Sequence, residues 1–382
     1  LNAKTTVRYS ANKIALSNLS LVTDKSDLKG DLVWIKGSKS ILTANLASDT
    51  LDLRSFNTGS KEIDKTSSKH YQEASQARPK TDDKYLFKDN SFHLALLNEV
   101  EADFKLSVKN LYHQIGEIQN VVINTVLEKG RADTKLKFDS ASHGHAAVKI
   151  DVSSQEKQAI IASVGSLSDF RLSLRDAQTI PDAEKPPVNL SFELKSRGSS
   201  PRALASMATG RLLFTQGSGK ISNSKVGVLT NDILDQLSKA LNPFAEKEKY
   251  SQLECTVIDL DLQDGQAKIK NMLTQSEKLM IIGGGEIDLK TETVKIEFNT
   301  KPRSGIGISA DMFVTPFVYV SGTLKRPSLS LNRRSSLLHG SAAVATGGLT
   351  LVLRSIFNRA TAHGDHCEKM KEHVGEHLPP PF

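Results

Sequence analysis

A hydrophobic period of two, restarted by a glycine, constrains this chain more than any other feature. It appears in Gly30-Asp-Leu-Val-Trp34, Gly210-Arg-Leu-Leu-Phe214, Gly265-Gln-Ala-Lys-Ile269, Gly285-Glu-Ile-Asp-Leu289 and Gly322-Thr-Leu324. Each glycine can take the positive φ of a turn or bulge, and each run after it has the spacing of a strand. The alternation is plainest where Val100, Ala102, Phe104, Leu106 and Val108 interleave with Glu101, Asp103, Lys105, Ser107 and Lys109. Such strands turn one face to an apolar environment and the other to water. An apolar fraction of 38% and an aromatic fraction of 5% fit a sheet with one wet face. The expected fold is mostly β, with a few short helices.

The chain divides by composition. Residues 1–55 hold about four strands. Residues 56–90 read as a flexible linker; from Asn57 onward they are polar, with Ile63 and Tyr71 the only large apolar side chains before Tyr85. Residues 91–335 return to regular strands interrupted by two short helices. One spans 201–209, capped by Ser200 with Pro201 at its first position. The other spans 231–242, with Ile233, Leu237 and Leu241 on one side and Pro243 at its end. Residues 336–382 read as an apolar helical cap over Ala342–Ile356, or a segment lying on a membrane, followed by a polar, mobile tail. No stretch reaches the ~20 apolar residues of a membrane span. The start at Leu1 without methionine reads as a fragment of something longer, so an N-terminal anchor is compatible with this sequence.

Catalytic motifs are poor. Gly217-Ser-Gly-Lys220 has Phe214 where a phosphate loop needs glycine and Ile221 where it needs Ser or Thr. Gly283-Gly-Gly285 reads as a bulge between strands. His143-Gly-His145 has no further ligand at metal spacing, and His363, His366, Cys367, His373 and His377 lie in the polar tail. We expect no enzyme, cofactor or metal. A net charge of +7 with pI near 9.1 suits an anionic membrane surface, whereas no basic stretch with interleaved aromatics points to nucleic acid.

The order of elements resembles the C-terminal region of the AsmA family of bacterial envelope proteins, relatives of TamB-like and bridge-like lipid transfer proteins. The residues that carry the likeness are Leu96–Phe104, read as a strand opening, Gly116–Asp139, Arg202–Phe214 and Asn231–Leu241. Cys255-Thr-Val-Ile-Asp-Leu-Asp-Leu-Gln-Asp-Gly265, Gly283–Val294 and Val320-Ser-Gly-Thr-Leu-Lys-Arg-Pro327 complete the set. Residues 1–55, ending in Leu51-Asp-Leu-Arg-Ser-Phe56, resemble an earlier repeat of the same kind.

The resemblance implies a long antiparallel sheet curled into an open apolar groove, roughly 14 strands and ~65 Å long at strand spacing. The alternation by itself would equally line a closed sandwich or barrel. The implied function is non-enzymatic phospholipid transport supporting outer-membrane biogenesis. Its setting is the periplasm, with an inner-membrane anchor outside this chain and phospholipid acyl chains and both bacterial membranes as partners. The expected groove lining is Phe104, Leu106, Leu136, Phe138, Val148, Ile150, Leu190, Phe192, Ile296 and Phe298, with the inward face left open. A periplasmic setting would also allow Cys255 and Cys367 to pair; the alternative is two free thiols. A second reading is an assembly factor that offers sheet edges to outer-membrane or other envelope proteins. A third is a plain β-scaffold.

Overall fold

The computed structural model describes residues 2–54, 85–113, 116–171, 180–222, 250–277, 279–302, 317–332 and 366–375. Eighteen strands among them build one large, open, curled sheet. The first nine are β1 (Asn2–Ser10), β2 (Lys13–Val22), β3 (Asp27–Ile35), β4 (Ser40–Asp52), β5 (Val100–His113), β6 (Gly116–Glu128), β7 (Arg131–Ser140), β8 (His145–Gln155) and β9 (Gln158–Phe170). The remainder are β10 (Val188–Gly198), β11 (Thr209–Gln216), β12 (Gly219–Ser222), β13 (Tyr250–Gln263), β14 (Gln266–Ser276), β15 (Leu279–Asp288), β16 (Thr293–Pro302), β17 (Phe317–Gly322) and β18 (Pro327–Asn332). Each strand pairs with the next in the chain, except that β11 and β12 lie end to end along β13. The sheet is therefore seventeen positions across, about 77 Å at ~4.8 Å per strand.

One pairing departs from the expected antiparallel order. β4 and β5 run parallel, from Ser40 opposite Val100 to Asp52 opposite Tyr112, so β1–β4 and β5–β18 share a single sheet. A parallel pair needs a crossover that carries the chain back along the strand, and the polar segment after β4 supplies that length.

The recurrent glycines divide into two kinds. Gly265 sits in a turn with φ of +77°, and Gly322 ends β17 with φ of +94°. Gly30, Gly210 and Gly285 sit inside strands with φ of +143°, +149° and +147°. A Cβ there would collide with the backbone carbonyl oxygens of Asn45, Glu193 and Lys295 on the neighbouring strands. Pairing shifts opposite two of them, between Leu16 and Leu19 and between Ile269 and Leu273. Bulges of this kind bend a strand and deepen its twist, which gives the sheet its curl.

A strap closes one end of the strands. The Glu292 carboxylate is fully buried in the β15–β16 turn and accepts the backbone N–H groups of Leu86, at 2.5 Å, and Phe87, at 3.0 Å. From there the chain passes helix α2 (Pro201–Ser206), where Arg202 stacks on the Tyr85 ring at 3.9 Å and Ser200 donates to Asp89 at 2.6 Å. It ends in helix α1 (Ala95–Glu99), which leads into β5. Between Glu292 and β5 the sheet measures about 45 Å. The strap, partly helical, reaches only about 40 Å. It is a chord, and the sheet under it is curved.

Three local expectations change. Residues 85–90 belong to this strap rather than to a loose linker. Residues 95–99, read as a strand opening, are helical because strand pairing of β5 begins only at Val100. Residues 366–375, read as mobile tail, form helix α3 (His366–Gly375), whose Cys367, Met370 and Val374 pack on Cys255, Val257, Leu273, Met280 and Ile282. The expected 201–209 helix is α2. The expected helix at 231–242 and the apolar cap at 342–356 lie outside the described residues, as does the linker up to residue 84.

Charge fixes the far end of the parallel junction. Lys109 and Lys29 hold the Asp49 carboxyl down to about 2, by hydrogen bonds first and by charge second. The Arg54 guanidinium and backbone N–H hold Asp52 at about 2. A folded-state value below the ordinary 3.8 means that these carboxylates support folding fully above about pH 5, and that the support is lost as pH falls through 3.8 towards 2. Urea midpoints measured from pH 5 to pH 2 should fall less steeply for Asp49→Asn and Asp52→Asn than for the parent. Parallel slopes would show that these pairs do not steady the junction.

Candidate functional site: the apolar face of the sheet

Strand register defines the site without reference to any single strand. Directly paired residues share a face, so a lateral row can be followed from strand to strand. The central row runs Leu19, Gly30, Leu46, Leu106, Ile123, Leu136, Val148 and Gly165. It continues through Phe192, Leu212, Leu260, Ile269, Gly285, Ile296 and Val320. A second row includes Ala44, Phe104, Thr125, Thr134, Ile150, Ser163, Leu194 and Gly210. A third joins Phe138, Ala146, Leu167, Leu190, Phe214, Ile258 and Met272, and resumes at Gly283, Phe298 and Val318. Every position in these rows is uncharged.

All ten residues expected to line a groove lie in the three rows. Leu106, Leu136, Val148, Phe192 and Ile296 are central, Phe104 and Ile150 lie on one side, and Phe138, Leu190 and Phe298 lie on the other. Along β5 Val108 is buried and Phe104 and Leu106 are half-buried, while Asp103, Lys105, Ser107 and Lys109 are exposed. Sequence reading missed the positions filled by Thr and Gly. Thr125 and Thr134 satisfy each other across the strands at 3.0 Å, so the apolar face carries no unpaired hydroxyl there. A Cβ at Gly165 would meet the Phe192 ring and Val148, so the small residue makes room for a large neighbour in its own row.

The opposite face is built of charge. Lys149 bridges Asp133 at 3.1 Å and Asp151 at 3.2 Å, and Arg131 pairs with Asp151 at 2.6 Å. Arg211 makes a two-pronged contact with the buried Asp259, which also accepts from Asn271. The more exposed of these pairs contribute little energy, but together they mark the face that meets water.

Coverage of the apolar face changes along the sheet. On β1 it is open, with Val7 57% and Tyr9 77% exposed. In the middle the rings of Phe138 and Phe170 meet edge to face at 5.8 Å over Ala146 and Val188. At β16 and β17 it is closed, with Val294, Phe298, Val318 and Val320 buried as one cluster. The apolar face is thus a trough, open at the β1 end and shut towards β17.

The three rows span about 14 Å along the strands. Cys255 and Cys367 are bonded to each other, with Cα atoms 6.3 Å apart, on the outer face and away from the trough. Among the described residues no cluster could hold a metal ion, and no helix is long and apolar enough to cross a membrane. His143 and His145 flank a turn, where His145 contacts Asp139 at 2.7 Å. Comparison with protein families, with curated proteins and with solved structures finds no match.

Proposed function

We propose that this chain conducts phospholipid acyl chains along the trough without catalysis. It would act as a periplasmic segment of an inner-membrane-anchored, AsmA-like protein that supports outer-membrane biogenesis. The observation that carries the reading is an uncharged central row that continues across fifteen strand positions, from Leu19 to Val320. An uncovered apolar surface of that length is costly in water and is relieved by an apolar occupant. Each buried methylene contributes about 0.8 kcal/mol, nearly the same at every step along the trough, so a chain can slide without a deep trap. Head groups would remain at the open mouth. The periplasmic setting and the anchor rest on the family resemblance alone.

The second reading is an assembly factor that binds strands of envelope proteins through a sheet edge. Native mass spectrometry with lipid extraction separates the two. Phospholipid bound to the purified, folded chain supports conduction. A folded chain free of lipid, crosslinking through a sheet edge to outer-membrane proteins, would replace it with the assembly reading.

A further inference from the structure

The β1 end of the trough differs from the rest of the molecule in charge and in rim composition. Residues 2–23 and 32–44 contain Lys4, Arg8, Lys13, Lys36 and Lys39 and no Asp or Glu. Elsewhere the sheet surface interleaves both signs. Among the described residues, only Lys39 of these five is in an ion pair, a long one to Glu101 at 3.8 Å. Lys13, Lys36 and Lys39 converge on one end of the strands. Lys13 opens β2 opposite Ile35, Lys36 follows the end of β3, and Lys39 precedes β4.

Apolar side chains reach that same rim from both faces. Tyr9, Ile14 and Trp34 are paired neighbours on the trough face. Ile35 and Ile41 are paired neighbours on the outer face. Ile14 and Ile41 are each 40% exposed. The outer face elsewhere holds Val122 and Val126, exposed singly among charged neighbours, and the patch of Val257, Leu273 and Ile282 that α3 covers; at this end Ile35 and Ile41 are paired with each other beside lysines. A hairpin tip that is apolar on both faces and ringed by lysines matches a bilayer interface. Aromatic rings sit at head-group level there, and ammonium groups reach phosphate while their stems lie in hydrocarbon.

We infer that the ends of β1–β4 form a docking surface for a bilayer rich in anionic phospholipid. Its purpose rests on the conduction reading above; its geometry and its test do not.

Trp34 is the only tryptophan in the chain and stands inside the surface, so it reports contact directly. The full chain would be floated with phosphatidylcholine vesicles containing 30% phosphatidylglycerol, on the order of a natural anionic surface. Binding is expected together with a blue-shifted Trp34 emission that brominated lipid quenches. Pure phosphatidylcholine, or the anionic vesicles at high salt, should bind far less. Lys13→Gln with Lys36→Gln should lower partitioning about 30-fold. Ile41→Asp, on the outer face and away from the trough, should do the same without altering lipid retained by the purified protein. Unchanged binding in both variants, or binding without any change at Trp34, would overturn the assignment. Retained acyl chains with no vesicle binding would refute docking and leave conduction standing. Vesicle binding by a protein that never retains an acyl chain would do the reverse.

Discussion

Ile150→Glu is expected to remove at least nine-tenths of the phospholipid retained by the purified chain, while Lys149→Glu leaves most of it. The two positions are adjacent in β8 and point to opposite faces. Ile150 lies in an uncharged row between Thr134 and Ser163. A carboxylate placed there would sit beneath an acyl chain, where no cation lies in its row. Ionised, it makes that step of the trough unfavourable by several kcal/mol, more than the gain from any few methylenes. Lys149→Glu disturbs more electrostatics, since it replaces the partner of Asp133 and Asp151 with a like charge. It does so on the watered face. Lipid retained per folded protein, with far-ultraviolet circular dichroism and urea midpoints taken for both, is the deciding measurement. Ile150→Ser serves where the glutamate variant fails to fold, and should retain intermediate amounts. Equal losses in the two faces' variants would mean that the alternation builds a closed core and not a conduit.

That contrast between neighbours could be read from sequence because β5, β7, β8 and β10 alternate apolar with polar residues along most of their length. Phe104 and Leu106 against Asp103 and Lys105 need no tertiary knowledge to be sorted into faces. The crossover between β4 and β5 was not legible in this way. Residues after Asp52 give no periodicity, and composition says only that they bury little. Whether they separate two bodies or return the chain to its own sheet depends on where β5 finds a partner. The strap was hidden for a related reason: its anchor is Glu292, and a glutamate in a polar turn looks solvated. Only the two backbone N–H groups of Leu86 and Phe87, some 200 residues earlier, make its burial favourable. The membrane-facing rim was missed because an exposed tyrosine or isoleucine means little until lysines are seen to converge on it.

One signal was present in the sequence and points to the outer face. Val257-Ile258, Met272-Leu273 and Ile281-Ile282 are adjacent apolar pairs on three consecutive strands, and adjacent residues face opposite sides. Such strands must be covered twice. Ile258 and Met272 belong to the trough. Val257, Leu273 and Ile282 belong to the patch under α3.

Cys367→Ser is therefore expected to uncover that patch and destabilise the sheet at β13–β15 more than any surface change. Helix α3 has ten residues, too few to be stable alone in water, and Cys367, Met370 and Val374 pack it onto the sheet. The bond spans 112 residues of sequence, so losing it frees a long loop in the unfolded chain and should cost about 3–5 kcal/mol. Hydrogen exchange should rise throughout 366–375 and on β13 to β15, while β5 to β9 stay protected. A hydrophobic dye should bind, because Leu273, Val257 and Met280, now fully buried, would meet water. Lipid retention should change little, because the trough lies on the other side of the same strands. A helix that stays protected without the bond would show that its three apolar contacts suffice. A joint loss of helix and lipid would show that the outer cover sets the curvature of the trough, since β13 to β15 present one side chain in two to each face and cannot lose packing on one without moving the other.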